Sequence, residues 1–484
     1  MASTMDHLVG ITVLPEYFQA EGVDQVLANC VEKACANAIT TSPYVMEVAD
    51  AVSGQREPPL DAGAGAVRLL DRPLWGKHEL FVRTSPAFEP NMELYAGLSY
   101  LPPPADELTS KLSHHLHEAI AHASMEGLQI YMQVQAAIPP GYRVQFGGPR
   151  AEDLPLLPDQ QPVGDRVAIN GSLASREILE YHCALIVDLC NQYPELTGIR
   201  VDWPEYPPYR LDSVFLDFSP HVRRFADDRT NLEFQQILES VGDFYDRLHG
   251  KGDRLLTDDV LRAIVDGPAP WSVLQGLFND YGIADWLRLK SKLVTNFIAT
   301  MRESLDNYGH QDKVLVPHAF PPPFNVMSGL DYAQVASLAD HIPVKLYTMH
   351  WAMIARFYLD QISRCNPHLG ESLLVDAVFK LLDISDSPPP PRIEDVRYPG
   401  PHDRHFESRN SQLHKLTNAQ RAAGSTPIAA LVHGYGPVMD MIKRFQIGME
   451  GTDNRVWINR YGYLSDDKLS KIGETVRVLA RGDQ

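Results

Sequence analysis

The fold class predicted by this sequence is a (β/α)8 barrel, and three features predict it. Short apolar β-type runs alternate with helical periods in strict order, and there are eight of them. Parallel strands need long crossovers, so that alternation argues for a parallel sheet, and eight units are the count at which such a sheet closes on itself. The turn after the first run, Leu14-Pro-Glu-Tyr17, has no glycine, which argues against the phosphate loop of a doubly wound open sheet.

The first run is Leu8–Leu14, followed by a helical period over Val23–Ala36 with Val23, Val26, Leu27, Cys30, Val31 and Ala34 on one face. Ala38–Ser42 is the second run. A helix over Leu112–Ser124 leads to the third, Leu128–Val134, and a helix over Ser175–Tyr193 to the fourth, Gly198–Asp202. Helices over Trp286–Leu305 and Tyr332–Ala339 precede the fifth and sixth runs, Val314–Val316 and Val344–Thr348. Arg409–Ala423 is helical before the seventh, Ile428–Val432. Val438–Phe445 leads to the eighth, Val456–Ile458, and Asp467–Leu479 closes the chain.

A minimal barrel takes roughly 250 residues and this chain has 484. One domain, 1–484, is expected, with inserts at 51–110, 211–285 and 352–408 after the second, fourth and sixth strands. The first is rich in Pro and Gly, the second has a helical period over Leu232–Leu248, and the third contains Pro388–Pro391, a stiff extended spacer. All three hang on the C-terminal rim, where barrel enzymes build their sites.

Composition excludes several classes. With 44% apolar and 22% charged residues the chain is ordinary globular material. A net charge of −19 makes nucleic acid and membrane surfaces poor partners. Five cysteines without a C-x-x-C spacing fit a reducing compartment. The segment Met1–His7 has no basic flank before a long apolar run, so no secretory signal is expected and a cytoplasmic location is. The sequence sets no oligomeric state.

Polar residues at strand ends point into a barrel mouth, and here they are abundant. They include Glu16 after the first strand, Gln133 and Gln135 on the third, and Asp202-Trp203-Pro-Glu205-Tyr206-Pro-Pro-Tyr209 after the fourth. His318 follows the fifth strand, Tyr347, His350 and Trp351 the sixth, His433 and Tyr435 the seventh, and Asn459, Arg460, Tyr461 and Tyr463 the eighth. The helix carrying His114, His115 and His117 lies away from this rim and reads as a solvated cluster.

Gly198-Ile-Arg-Val-Asp202 resembles the strand-four signature of α-amylase-type glycoside hydrolases, a Gly-aromatic-Arg-x-Asp stretch. The longer segment Gly198–Tyr209 is similar to that of bacterial barrels classed as glycosidase-like. The resemblance implies that Asp202 is the nucleophile and Arg200 its charge partner. That family carries a glutamate acid/base after strand five, where this chain has Pro317-His318, and Asn-His-Asp where this chain has Val432-His433-Gly434. The acid/base must then come from elsewhere or be absent; Glu205, three residues beyond Asp202 at the same rim, is the nearest candidate and Glu16 the second. Glycoside cleavage normally takes two carboxyl groups, about 5 Å apart for retention and roughly 6.5–9.5 Å for inversion. Arg200, Trp203, Tyr209, Gln133, His318, Tyr347, His350, Trp351, His433, Asn459, Arg460 and Tyr461 are the expected substrate contacts, the substrate being a small glycoside or oligosaccharide. No metal or organic cofactor is expected. Competing readings on the same barrel are a metal-dependent isomerase or hydrolase (Glu16, Asp202 or Glu205 with His318 and His350), a Schiff-base lyase at Lys345, and a non-catalytic carbohydrate-binding barrel.

Overall fold

The structure, a computed structural model, describes residues 7–59, 68–164, 166, 168–252, 255–267, 281–384, 387–405 and 407–482. Residues 1–6, on which the N-terminal signal expectation mainly rests, lie outside these, as do parts of each expected insert.

Eight parallel strands form the barrel: β1 (Leu8–Thr12), β2 (Ala38–Thr41), β6 (Gln129–Gln135), β7 (Gly198–Asp202), β8 (Val314–Pro317), β9 (Ile342–Leu346), β10 (Ile428–His433) and β11 (Arg455–Asn459). Around the sheet the order is β8-β7-β6-β2-β1-β11-β10-β9. The last seam, β8 to β9, is made by one bridge, Ala319 with Val344. There the Ala319 N–H donates to Pro343 O and the Lys345 N–H to Ala319 O, both at 2.9 Å. The strands read as apolar runs because helices cover them outside and side chains fill them inside.

The barrel floor is packed. A Cβ on Gly10 would lie 2.1 Å from the Trp457 ring, so only glycine leaves room for that indole on the barrel axis. Trp457 Nε1–H donates to His341 Nε2 at 3.0 Å. Tyr131 meets the indole edge-on at 5.3 Å, and the Arg200 guanidinium lies 3.8 Å from its centroid. Register then raises the next layer, because Gln133 sits beside Arg200 and Gln135 beside Asp202. With a period of two, Asp202 stands one layer above Arg200, at the open end.

Three departures from the sequence reading matter for the site. An antiparallel sheet of β3 (Tyr44–Ala49), β4 (Gln55–Glu57) and β5 (Leu80–Pro86), in the order β3-β5-β4, begins just before the expected insert 51–110 and has its other two strands inside it. These strands are short and mix charged with apolar residues, which hid them. The connection 136–175 after β6, 40 residues long, is a fourth sizeable one beside the three expected inserts. A short helix, Pro15–Glu21, precedes the one expected over Val23–Ala36, which is α-helical only to Ala28 and continues as a wider turn over Asn29–Lys33, where buried Asn29 donates from Nδ2 to the Tyr461 hydroxyl at 2.7 Å. Elsewhere helix starts follow local chemistry. Asp106 and Thr109 form a reciprocal cap for Glu107–Met125, and Ser175 accepts from Ile178 N–H to start Arg176–Gln192. No helix of the described residues is long and apolar enough to cross a membrane.

Candidate active site

At the C-terminal ends of the strands a cavity of about 150 Å³ opens. Asp202 is the only carboxylate among its described lining residues. It closes β7, and its side chain is 17% exposed. His318 Nδ1 lies 3.1 Å from Oδ1, Lys345 Nζ 3.2 Å from the same oxygen, and Gln135 Nε2 donates to Oδ2 at 3.5 Å. Burial alone would raise this carboxyl; Lys345 and His318 outweigh it and hold it well below the usual carboxylate range. Burial, with Arg200 nearby, pushes His318 down to about 3, so at neutral pH it is an uncharged imidazole. The residue after Asp202, Trp203, has φ 55°. That left-handed conformation is strained for a bulky side chain, and such strain concentrates at sites where geometry is over-determined.

Glu205 does not reach the cavity. The Pro-Glu-Tyr-Pro-Pro turn folds it inward, fully buried. Its Oε1 accepts from Phe320 N–H at 3.0 Å and its Oε2 from Ser328 Oγ–H at 2.6 Å. Lys345 Nζ is 3.6 Å away. Burial lifts the carboxyl to about 6, against the lowering by Lys345 and the two donors. One lysine thus lies between an ionised aspartate and a glutamate whose proton comes off near neutrality.

Arginines dominate another part of the wall: Arg68, Arg143 and Arg460 all line the cavity. Arg68 Nη1 lies 3.1 Å from His433 Nε2, while Tyr435 N–H donates to His433 Nδ1 at 3.0 Å. Burial and then Arg68 keep His433 well below its ordinary value. Arg143 donates to Glu16 Oε1 at 3.0 Å and lies 2.7 Å from Glu57 Oε2; Arg460 bonds the other Glu57 oxygen. Burial would raise Glu57, but the two guanidiniums prevail and lower it. Glu16 meets one guanidinium, and there burial prevails and raises it.

The cavity brings together Asp202, Trp203, Tyr209, Gln133, Tyr347, His350, His433, Asn459 and Arg460 among the expected residues. The rest require correction. Glu16 is buried with both oxygens bonded, by Arg143 and by the Tyr44 hydroxyl at 2.8 Å, so it is no mouth acid. Arg200 is not the ion-pair partner of Asp202; it lies under it against Trp457, and Lys345 takes that place. His318 is buried beneath Asp202 and contacts it without lining the cavity. Trp351 lies on the helix Thr348–Cys365 and turns outward, stacked on Phe324 at 6.1 Å with Lys415 over its ring. Tyr461 is buried outside the cavity, and its hydroxyl donates to Glu21 Oε2 at 2.9 Å.

The sequence reading missed Arg68, Arg143 and Glu57, which come from connections rather than barrel-strand ends. The turn Pro139-Pro-Gly-Tyr-Arg143, directly after a barrel strand, was the available signal for one of them. Among the described residues one group, Asp153, Glu177 and His221, has metal-like spacing. It lies outside the cavity. Asp153 there already accepts from the Tyr100 hydroxyl at 2.6 Å and Ser175 Oγ–H at 2.5 Å, so it reads as a hydrogen-bonded knot at a helix start.

No protein-family model matches this chain, and no curated protein matches it. Solved structures do. The β-galactosidase of the psychrophile Marinomonas ef1 aligns with TM-score 0.51 and 11% identity over 98% of this chain, which spans 60% of that enzyme's length. The catalytic domain of a Paenibacillus polymyxa β-amylase aligns with TM-score 0.47 and 9% identity over 97% of this chain and 96% of its own. A Group IV chitinase of Ostrinia furnacalis aligns with TM-score 0.40 and 9% identity over 97% of this chain and 100% of its own. At such identities the likeness concerns the fold: the chain is a (β/α)8 barrel whose structural neighbours are glycoside hydrolases.

Proposed function

We propose that this barrel cleaves a glycosidic bond, with Asp202 as the carboxylate that meets the positive charge developing at the anomeric carbon. The observation that carries this reading is the divided pair. Asp202 is held ionised at the cavity, and Glu205, one lysine away, is lifted to about 6. Environments that push two carboxyl pKa values apart mark which group is base and which is acid. In this reading Lys345, which lies between the two carboxyl groups, holds Asp202 in its charged form. Trp203 and Tyr209 offer ring faces, and Gln133 and Asn459 offer amides to sugar hydroxyls.

A second reading has an observation of its own. Glu205 is sealed behind Phe320 and Ser328, which suits a barrel that binds a sugar and does not cut it. A panel of nitrophenyl glycosides, assayed with the wild type, Asp202→Asn and Glu205→Gln, separates the two. Turnover lost in the first variant and reshaped in its pH profile in the second supports cleavage. Turnover untouched in both sinks it. Sugar binding by calorimetry, with no turnover of any substrate, favours the binding barrel.

A further inference from the structure

We infer that Lys290, on the helix Tyr281–Asn307 outside the barrel, is a positioning residue for Glu205, acting by locking the turn whose serine binds that carboxyl. The role holds whatever the cavity binds.

Lys290 is 1% exposed, and a buried ammonium is costly unless its donors are matched. It donates to two main-chain carbonyls, Val214 O at 2.6 Å and Met327 O at 2.5 Å. The rings of Tyr206 and Trp286 face it at 5.4 and 5.2 Å. The lysine thus ties its own helix to two rim segments, since Val214 comes after β7 and Met327 after β8. Stem and turn interlock. Gly329 has φ 94°, and a Cβ there would lie 2.6 Å from Lys290 Cγ, so glycine both permits the turn and leaves room for the lysine. Burial brings Lys290 down to about 7, against Asp217 and Glu205, which raise it. A neutral amine still carries two N–H donors for the two carbonyls, so the tether survives loss of the proton.

Met327 and Gly329 flank Ser328, and Ser328 holds the Glu205 segment twice. Its hydroxyl donates to Glu205 Oε2 at 2.6 Å, and its carbonyl accepts from Tyr206 N–H at 3.0 Å. Fixing the residues on either side of the serine therefore fixes where the carboxyl lies. Lys345 stands 3.6 Å from Glu205 and 3.2 Å from Asp202, so a position set from the outer helix reaches the cavity's carboxylate through one residue. An apolar side chain would fill this helix position at less cost; the tether accounts for a lysine there.

The test reads the Glu205 carboxyl itself, by carbon NMR of protein labelled at the glutamate carboxyls, its signal being the one absent from Glu205→Gln. The groups facing it are Lys345, Asp202, Ser328 and the Phe320 N–H, with Tyr332 and Lys290 beyond them. Ser328 lowers this carboxyl, so a loosened serine lets it rise. Lys290→Met is expected to move the midpoint up by roughly one pH unit from about 6, and Ser328→Ala to do the same. On the Ser328→Ala background Lys290→Met is expected to add little, because the lysine acts through the serine. Gly329→Ala, which crowds the lysine stem and keeps its charge, is expected to move the midpoint the same way, and it decides the matter should Lys290→Met fail to fold. An unmoved midpoint in either folded variant would overturn the inference. So would equal shifts from Lys290→Met with and without Ser328, which would make the lysine a distant charge and no more. No substrate enters these measurements, so failure of the glycosidase reading would leave every outcome as it is.

Discussion

On the β7–β8–β9 side of the cavity one lysine lies between two buried carboxyl groups, whereas on the β1–β2–β11 side two guanidiniums share one. The outcomes differ accordingly. Asp202, touched by Lys345 and a histidine N–H, is held low; Glu205, farther from the same lysine, rises to about 6. Glu57, clasped by Arg143 and Arg460, is lowered, while Glu16, left with one guanidinium, is raised. All four belong to one chemical class and three are fully buried. Burial favours the neutral acid in every case, and the closeness and number of the cations decide which groups stay charged.

The largest way to break this contrast is Asp202→Asn, which removes the cavity's ionised carboxylate. Turnover is expected to fall roughly 10⁴-fold, the scale seen when a reacting group is deleted, with the fold kept as judged by circular dichroism. Next is Glu57→Gln, on the opposite wall. It leaves Arg143 and Arg460 without their shared counter-charge, and removing one partner of a buried pair costs about 3–5 kcal/mol. Urea denaturation measures it; a loss under about 1 kcal/mol would mean that this network is not tightly coupled.

Glu205→Gln has a smaller effect and a definite sign. The ordinary value is 4.5 and the folded one about 6. Between those pH values the folded state holds a proton that the unfolded state has lost. The contribution to stability is therefore complete below about 4.5 and fades as pH rises through 6, by about 2 kcal/mol. Gln has no proton to lose, so the variant should lose less stability than the wild type between pH 4.5 and pH 7. Parallel stability curves for the two proteins would show that Glu205 is not raised.

Much of this was legible in the sequence. The barrel was, because eight apolar runs alternating with amphipathic helices leave few other closed arrangements. Asp202, His433 and Asn459 were, because the last inward residue of a barrel strand has only the mouth to face. The depth of Glu205 was not. It depends on a turn returning to Phe320 and Ser328, contacts separated by more than a hundred residues in the chain. The position of Arg200 depends on Trp457 across the barrel, which in turn depends on a glycine in β1. Arg68 and Arg143 come from connections whose course no periodicity reports.

Trp351 is the instructive near miss, and it gives the smallest predicted effect. Coming soon after a barrel strand, it was expected at the rim beside His350. The helix Thr348–Cys365 begins at once, however, and consecutive helical residues diverge by about 100°. His350 therefore faces the cavity, 3.2 Å from the Tyr209 hydroxyl, while Trp351 faces Phe324 and Lys415. Trp351→Phe keeps an aromatic ring on Phe324 but loses volume and part of the cation–π contact, so stability should fall by about 1 kcal/mol. Apparent affinity for any cavity ligand should not change. A Trp351→Phe variant with native stability but weakened binding would put the indole back at the mouth and undo the outward turn of this helix.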